Sequence, residues 1–81
     1  FEQALARDPD DHQARFDLAG ALAGQGRFGD AADQLLTIIE RDRSWNDEAA
    51  RKQLLQVFEA AGATSDVARQ GRRRLSAILF S

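Results

Sequence analysis

Leu18-Ala19-Gly20-Ala21-Leu22-Ala23-Gly24-Gln25-Gly26-Arg27-Phe28-Gly29-Asp30-Ala31-Ala32-Asp33-Gln34-Leu35 is the stretch that decides the fold. Leu18 and Leu22 are four residues apart, as are Ala31 and Leu35, so each pair lies on one face of a helix. Gly24 and Gly26 interrupt the pattern between them, and Gly26 suits the left-handed residue that follows a helix end. Two amphipathic helices joined by so short a turn must fold back antiparallel. Small Ala19 and Ala31 let their axes approach closely.

Working outward from this hairpin, the sequence predicts five helices. The first is Phe1 to about Arg7, stopped by Asp8-Pro9 because Pro lacks an N–H and restricts its predecessor. The second, about 11–24, is capped by Asp10 or Asp11 and turns Ala14, Leu18, Ala21 and Leu22 inward. Arg15 borders this stripe and is expected to reach out to solvent. The third, about 29–41, buries Ala31, Leu35, Ile38 and Ile39. The fourth, about 46–61, buries Ala50, Leu54, Val57, Phe58 and Ala61; Ser44 and Asp47 have the spacing of a capping box at its start. The fifth, about 65–80, starts at Thr64, Ser65 or Asp66 and has Val67, Gly71, Leu75, Ile78 and Leu79 as its apolar face. Gly71 inside a helix costs about 1 kcal/mol against Ala, which a close crossing with the fourth helix would explain. Alternation at period two is absent, so no strand is expected.

The spacing Leu18-Ala19, Leu22, Ala31, Leu35 resembles the tetratricopeptide repeat, a two-helix unit of about 34 residues that stacks with its neighbours. Arg15 stands where that pattern has Trp, and Arg43 where it has Pro. Pro9 takes that Pro place one repeat earlier, and Phe1 the place of Leu35. Leu18, Leu22 and Gly26 recur as Leu54, Phe58 and Gly62, each 36 residues later, so two residues are inserted around Trp45. The expected organisation is an all-α, right-handed stack of antiparallel helix hairpins in one domain. Residues 1–9 end a truncated repeat, 10–43 form one repeat, and 44–81 form a degenerate repeat with a C-terminal helix. The chain opens on mid-helix residues instead of Met and reads as a fragment of a longer protein.

Composition narrows the function classes. With 43% hydrophobic and 30% charged residues the 81-residue chain reads as globular. No apolar run approaches the ~20 residues needed to span a bilayer. There is no cysteine, so disulfides, thiol catalysis and cysteine-held metal are excluded within the chain. A net charge of −2 gives no general attraction to nucleic acid. His12 is the only histidine, and no set of nucleophile, base and orienting group can be assembled around it. Asp8, Asp10 and Asp11 lack the Gly and Glu of a calcium loop and read as helix caps. No catalytic, cofactor or metal site is therefore expected, and the chain reads as a non-enzyme.

The features left over point to proteins as partners. Arg72-Arg73-Arg74 forms a basic run without the aromatics of a nucleic-acid site; it reads as a solvated face or as a dock for acidic surfaces. Trp45, in the inserted linker, reads first as a plug between helices and second as an exposed anchor. Leu79 and Phe80 cannot both face one way, so one of them is expected at the surface. The inner groove of the repeat is the default peptide site. Phe16 and Gly20 occupy places where carboxylate-gripping repeats carry Lys and Asn, so a chaperone-tail clamp is not expected.

The second half carries a narrower likeness. Arg41-Asp42-Arg43-Ser44-Trp45-Asn46-Asp47, Ala50-Arg51-Lys52, Phe58, Gly62 and Gly71-Arg72-Arg73-Arg74-Leu75 through Leu79-Phe80 are similar to the C-terminal end of the YbbN/CnoX family, as is Gly26-Arg27-x-x-x-Ala31. That family comprises bacterial thioredoxin-like co-chaperones, the chaperedoxins. The resemblance implies a cytoplasmic protein with an N-terminal thioredoxin fold followed by these helices. It also implies unfolded clients and chaperonin as partners, and the last helix as the docking element, with Arg72, Arg73, Leu79 and Phe80 in contact and Trp45 as a further candidate. The alternative is a generic repeat adaptor or an oligomerisation segment. It takes its motive from Phe1, Ala4 and Leu5, which lack a preceding helix and would favour self-association.

Overall fold

Asp11 starts the hairpin: its side chain accepts a hydrogen bond from the Ala14 N–H at 3.0 Å, satisfying one of the orphan donors of a helix start. Ser65 does the same for Ala68 at 3.2 Å at the head of the last helix. In the computed structural model, which describes residues 2–81, five helices follow in order. They are α1 (Glu2–Arg7), α2 (His12–Gly24), α3 (Phe28–Arg41), α4 (Trp45–Ala61) and α5 (Asp66–Leu79). There is no strand among the described residues. Phe1, expected at the head of the first helix and in its open apolar end, lies outside the described residues.

The helices stack as antiparallel neighbours, with α3 at the centre in contact with α2, α4 and α5. A Cα radius of gyration of 11.8 Å is that of a compact domain of this length, about 12 Å. The core runs through Ala19, Leu22, Ala31, Leu35, Ile38, Ile39, Ala50, Leu54, Val57, Phe58 and Leu75, all buried. Ala32, Leu36 and Ala68 join it, so α3 is sealed on more of its circumference than its expected stripe. Neighbours on three sides explain that. Gly26 takes φ 79°, the left-handed conformation expected of it.

Four local readings need correction. Leu18 is only half-buried and Ala21 is exposed, because six-residue α1 leaves that side of α2 partly uncovered. Ala61 is half-buried, one turn from the end of α4. Arg15 is half-buried instead of free in solvent. Its guanidinium donates to Gln34 Oε1 at 2.8 Å and to the Pro9 carbonyl at 3.0 Å, tying α2 to α3 and to the preceding turn. The Ser44–Asp47 capping box does not form: Ser44 donates its hydroxyl to Asp42 Oδ1 at 3.1 Å and caps no N–H of the helix start. Asn46, Asp47 and Glu48 instead adopt left-handed φ of 48°, 56° and 63°, so regular α4 begins after them. Each costs about 1–2 kcal/mol for a residue with a Cβ. The inserted pair of residues is absorbed in this turn.

Candidate protein-interaction surface

The last helix is amphipathic, with Ala68, Gly71 and Leu75 buried and its arginines outside. Its fit against α4 is set at Gly71. A Cβ built there would land on the Phe58 ring edge, at Cε1 and Cζ, far inside contact distance. The close crossing expected from the sequence is thus present, and it fixes how α5 presents its outer face.

Most arginines around α5 are already engaged. Arg72 donates to the Ala63 carbonyl at 2.6 Å, and its guanidinium carbon lies 5.8 Å from the Phe58 ring centroid, within cation–π range. Arg74 pairs with Asp33 on α3, and Arg69 with Asp66 one turn back. From the α3–α4 linker, Arg43 donates to the carbonyls of Ile78 and Leu79. A cation on the last carbonyls of a helix meets the negative end of its dipole. Arg43 stands where the repeat pattern has Pro, and that substitution was the one sequence signal available for this clamp.

Of the five residues expected to meet a partner, three are exposed: Arg72, Arg73 and Phe80. Arg73 is exposed and makes no hydrogen bond or ion pair among the described residues. Phe80 is 85% exposed. They share one stripe with Arg69 and Ser76, at helical spacings of three and four, all exposed. Leu79 is half-buried against the core, so the pair divides as expected, one in and one out. Arg72 is exposed, but its guanidinium is tied to the Ala63 carbonyl and lies over the Phe58 ring. Trp45 is half-buried as a plug, its ring centroid 5.4 Å from that of Phe16 and 6.0 Å from that of His12. His12 Nδ1 beneath it is buried without a partner. Leu55, 45% exposed on α4, is an apolar surface residue that the sequence reading did not single out, although it lies off the expected stripe.

Among the described residues no group of three His, Cys, Asp or Glu is placed to hold a metal ion, and no helix is long and apolar enough to cross a membrane. What the surface offers is shape, arginine and a few apolar side chains, which are the means of protein recognition. The profile of the tetratricopeptide repeat matches residues 1–80. The chain belongs to the tetratricopeptide-repeat family. Comparison with curated proteins and with solved structures gave no match. As a tetratricopeptide-repeat domain, the molecule is a protein–protein interaction module.

Proposed function

We propose that this tetratricopeptide-repeat domain is the interaction module of a bacterial, cytoplasmic, thioredoxin-like co-chaperone. In this reading it contributes to holding unfolded clients and docks on chaperonin through the outer stripe of α5. The observation that carries the reading is the stripe Arg69-Arg73-Ser76-Phe80, which ends in an aromatic ring left in water. An aromatic anchor beside arginine is the composition of an interface hot spot. The likeness of residues 41–80 to the YbbN/CnoX family supplies the partner. Arg73 and Phe80 are the contacts; Arg72, Leu79 and Trp45 position them by holding α5 and the linker in place.

Capture of chaperonin by the immobilised full chain tests this. Deleting α5 would uncover Phe58 and unfold the domain, so point variants serve instead. Phe80→Ser with Arg73→Glu is expected to keep the circular-dichroism spectrum and to lower capture about tenfold. Equal capture by both chains would remove the docking role of α5. No capture by the unaltered chain would leave the plain adaptor reading, which the repeat match alone supports.

A further inference from the structure

The segment Ser44–Glu48 favours one structure locally and adopts another. Ser44 and Asp47 have the spacing of a capping box, in which Ser44 would cap the helix start and Asp47 would reach back to the Ser44 N–H. The box is unused. Asp42 Oδ1 accepts from both donors of Ser44, the N–H at 3.2 Å and the hydroxyl at 3.1 Å. Asn46, Asp47 and Glu48 follow with φ and ψ of 48° and 50°, 56° and 43°, and 63° and 29°, which is a stretch of left-handed helix. Single residues visit this region, but helical runs do not, and Glu48 lacks the short side chain that lets Asn and Asp tolerate it. The three are exposed, and their ion pairs, Glu48 with Arg51 at 3.6 Å and Asp47 with Lys52 at 3.8 Å, are surface pairs that contribute little. Their own side chains therefore do not hold the turn.

Strained backbone persists where its surroundings over-determine it, and here two clamps stand on either side of Ser44. Arg43 donates to the carbonyls of Ile78 and Leu79 at the end of α5. Trp45 lies against Phe16 and His12 of α2. The second clamp is itself costly, because His12 Nδ1 is buried without a partner. We infer that residues 44–48 are a two-state linker. In the latched state both clamps are closed and the turn is left-handed. In the released state Asn46–Glu48 wind right-handed and prolong α4, with Ser44 as its cap. Ala50, Leu54, Val57 and Phe58 anchor the rest of α4 in the core, so rewinding the turn re-aims Trp45 and leaves the helix in place. The ring leaves Phe16, and Arg43 is drawn off α5. One rearrangement undoes both clamps, and loss of either favours it. Trp45 then has both of its expected roles, plug in the latched state and exposed anchor in the released one. The device belongs to the linker alone and operates without chaperonin or any other partner.

Trp45 is the only tryptophan, so its emission reports the linker directly. Acrylamide quenching of the full chain in native buffer is the test, with far-UV circular dichroism to confirm the fold. Asn46→Gly with Glu48→Gly removes the Cβ penalty of the left-handed turn and disfavours a right-handed helix. Asn46→Ala with Glu48→Ala keeps the penalty and favours the helix. Both pairs lie at exposed positions and leave Ser44 and Asp47 intact. The released population of the alanine pair is expected to exceed that of the glycine pair at least about tenfold, seen as stronger quenching and red-shifted emission. Arg43→Ala, which opens the clamp on α5, is expected to raise quenching as well, and adding the glycine pair to it should lower quenching again. A turn with one structure only would lose stability in these variants while the quenching of the folded chain stayed the same, and that result overturns the inference. So does an Arg43→Ala chain whose quenching the glycine pair fails to reduce.

Discussion

The two hairpins share a spacing but divide their bulk differently, over both helices in the first and on the leading helix alone in the second. In α2–α3 the facing positions are Leu22 and Leu35; 36 residues on, in α4–α5, they are Phe58 and Gly71. All four are buried. A large residue on each helix in the first pair becomes a larger one facing none in the second, and the Phe58 ring fills the place where a Gly71 side chain would stand. The comparison teaches that one spacing can be filled in two ways, by a leucine on each helix or by a ring set against a glycine. It also makes the second hairpin the more sharply specified, because one ring closes it.

The largest break in this comparison comes from the ring itself. Phe58→Ala is expected to cost about 3–5 kcal/mol, and Leu22→Ala about 2, since Leu22 already borders an open cleft. For a chain of this size total stability is about 4–12 kcal/mol, so Phe58→Ala removes at least about a quarter of it. Urea denaturation followed at 222 nm reads both. Equal losses would mean that the two hairpins are packed alike.

A second pair of changes asks whether bulk can be moved back. Gly71→Leu alone overpacks the crossing and is expected to cost about 1–3 kcal/mol or more. In a Phe58→Leu background, which rebuilds the Leu22–Leu35 arrangement, the same change is expected to cost less. The coupling should be favourable by about 1 kcal/mol or more. Additive losses in the double-mutant cycle would show that the Phe–Gly pair is not a repacked Leu–Leu pair.

How much of this was legible follows from the same residues. Helices, turns and most core positions were, because apolar spacing of three and four, Pro9, Gly26 and Gly62 are local signals. The exposure of Leu18 and Ala21 was not, since it depends on how much of a preceding helix covers them. The left-handed turn at Asn46–Glu48 was hidden because Ser44-Trp45-Asn46-Asp47 reads locally as a helix start. At the candidate site, the sequence named the arginine run and the Leu79–Phe80 pair. It did not say which arginines the fold consumes, because Ala63, Asp33 and the Phe58 ring are brought to them only by the crossing.

The smallest expected effects distinguish how arginine ties α2 and α5 to α3. Arg15 binds two uncharged acceptors, Gln34 and the Pro9 carbonyl, and is half-buried. Arg74 faces Asp33 in an ion pair whose side chains are 47% and 57% exposed. Arg15→Ala is expected to cost about 1–2 kcal/mol, with little change between low and high salt. Arg74→Ala is expected to cost less than about 0.5 kcal/mol, because water and ions screen an exposed pair. Its cost should fade as the Debye length shrinks from about 10 Å at 0.1 M to about 3 Å at 1 M salt. Melting both variants across that range isolates the difference. If the Arg15→Ala loss fades with salt as well, its bonds to Gln34 and Pro9 are not what secures the first hairpin. If the Arg74→Ala loss persists at high salt, α5 is held on α3 by the packing of the arginine stem over Leu36 and Val67, whose side chains line the same cleft, and charge is secondary there.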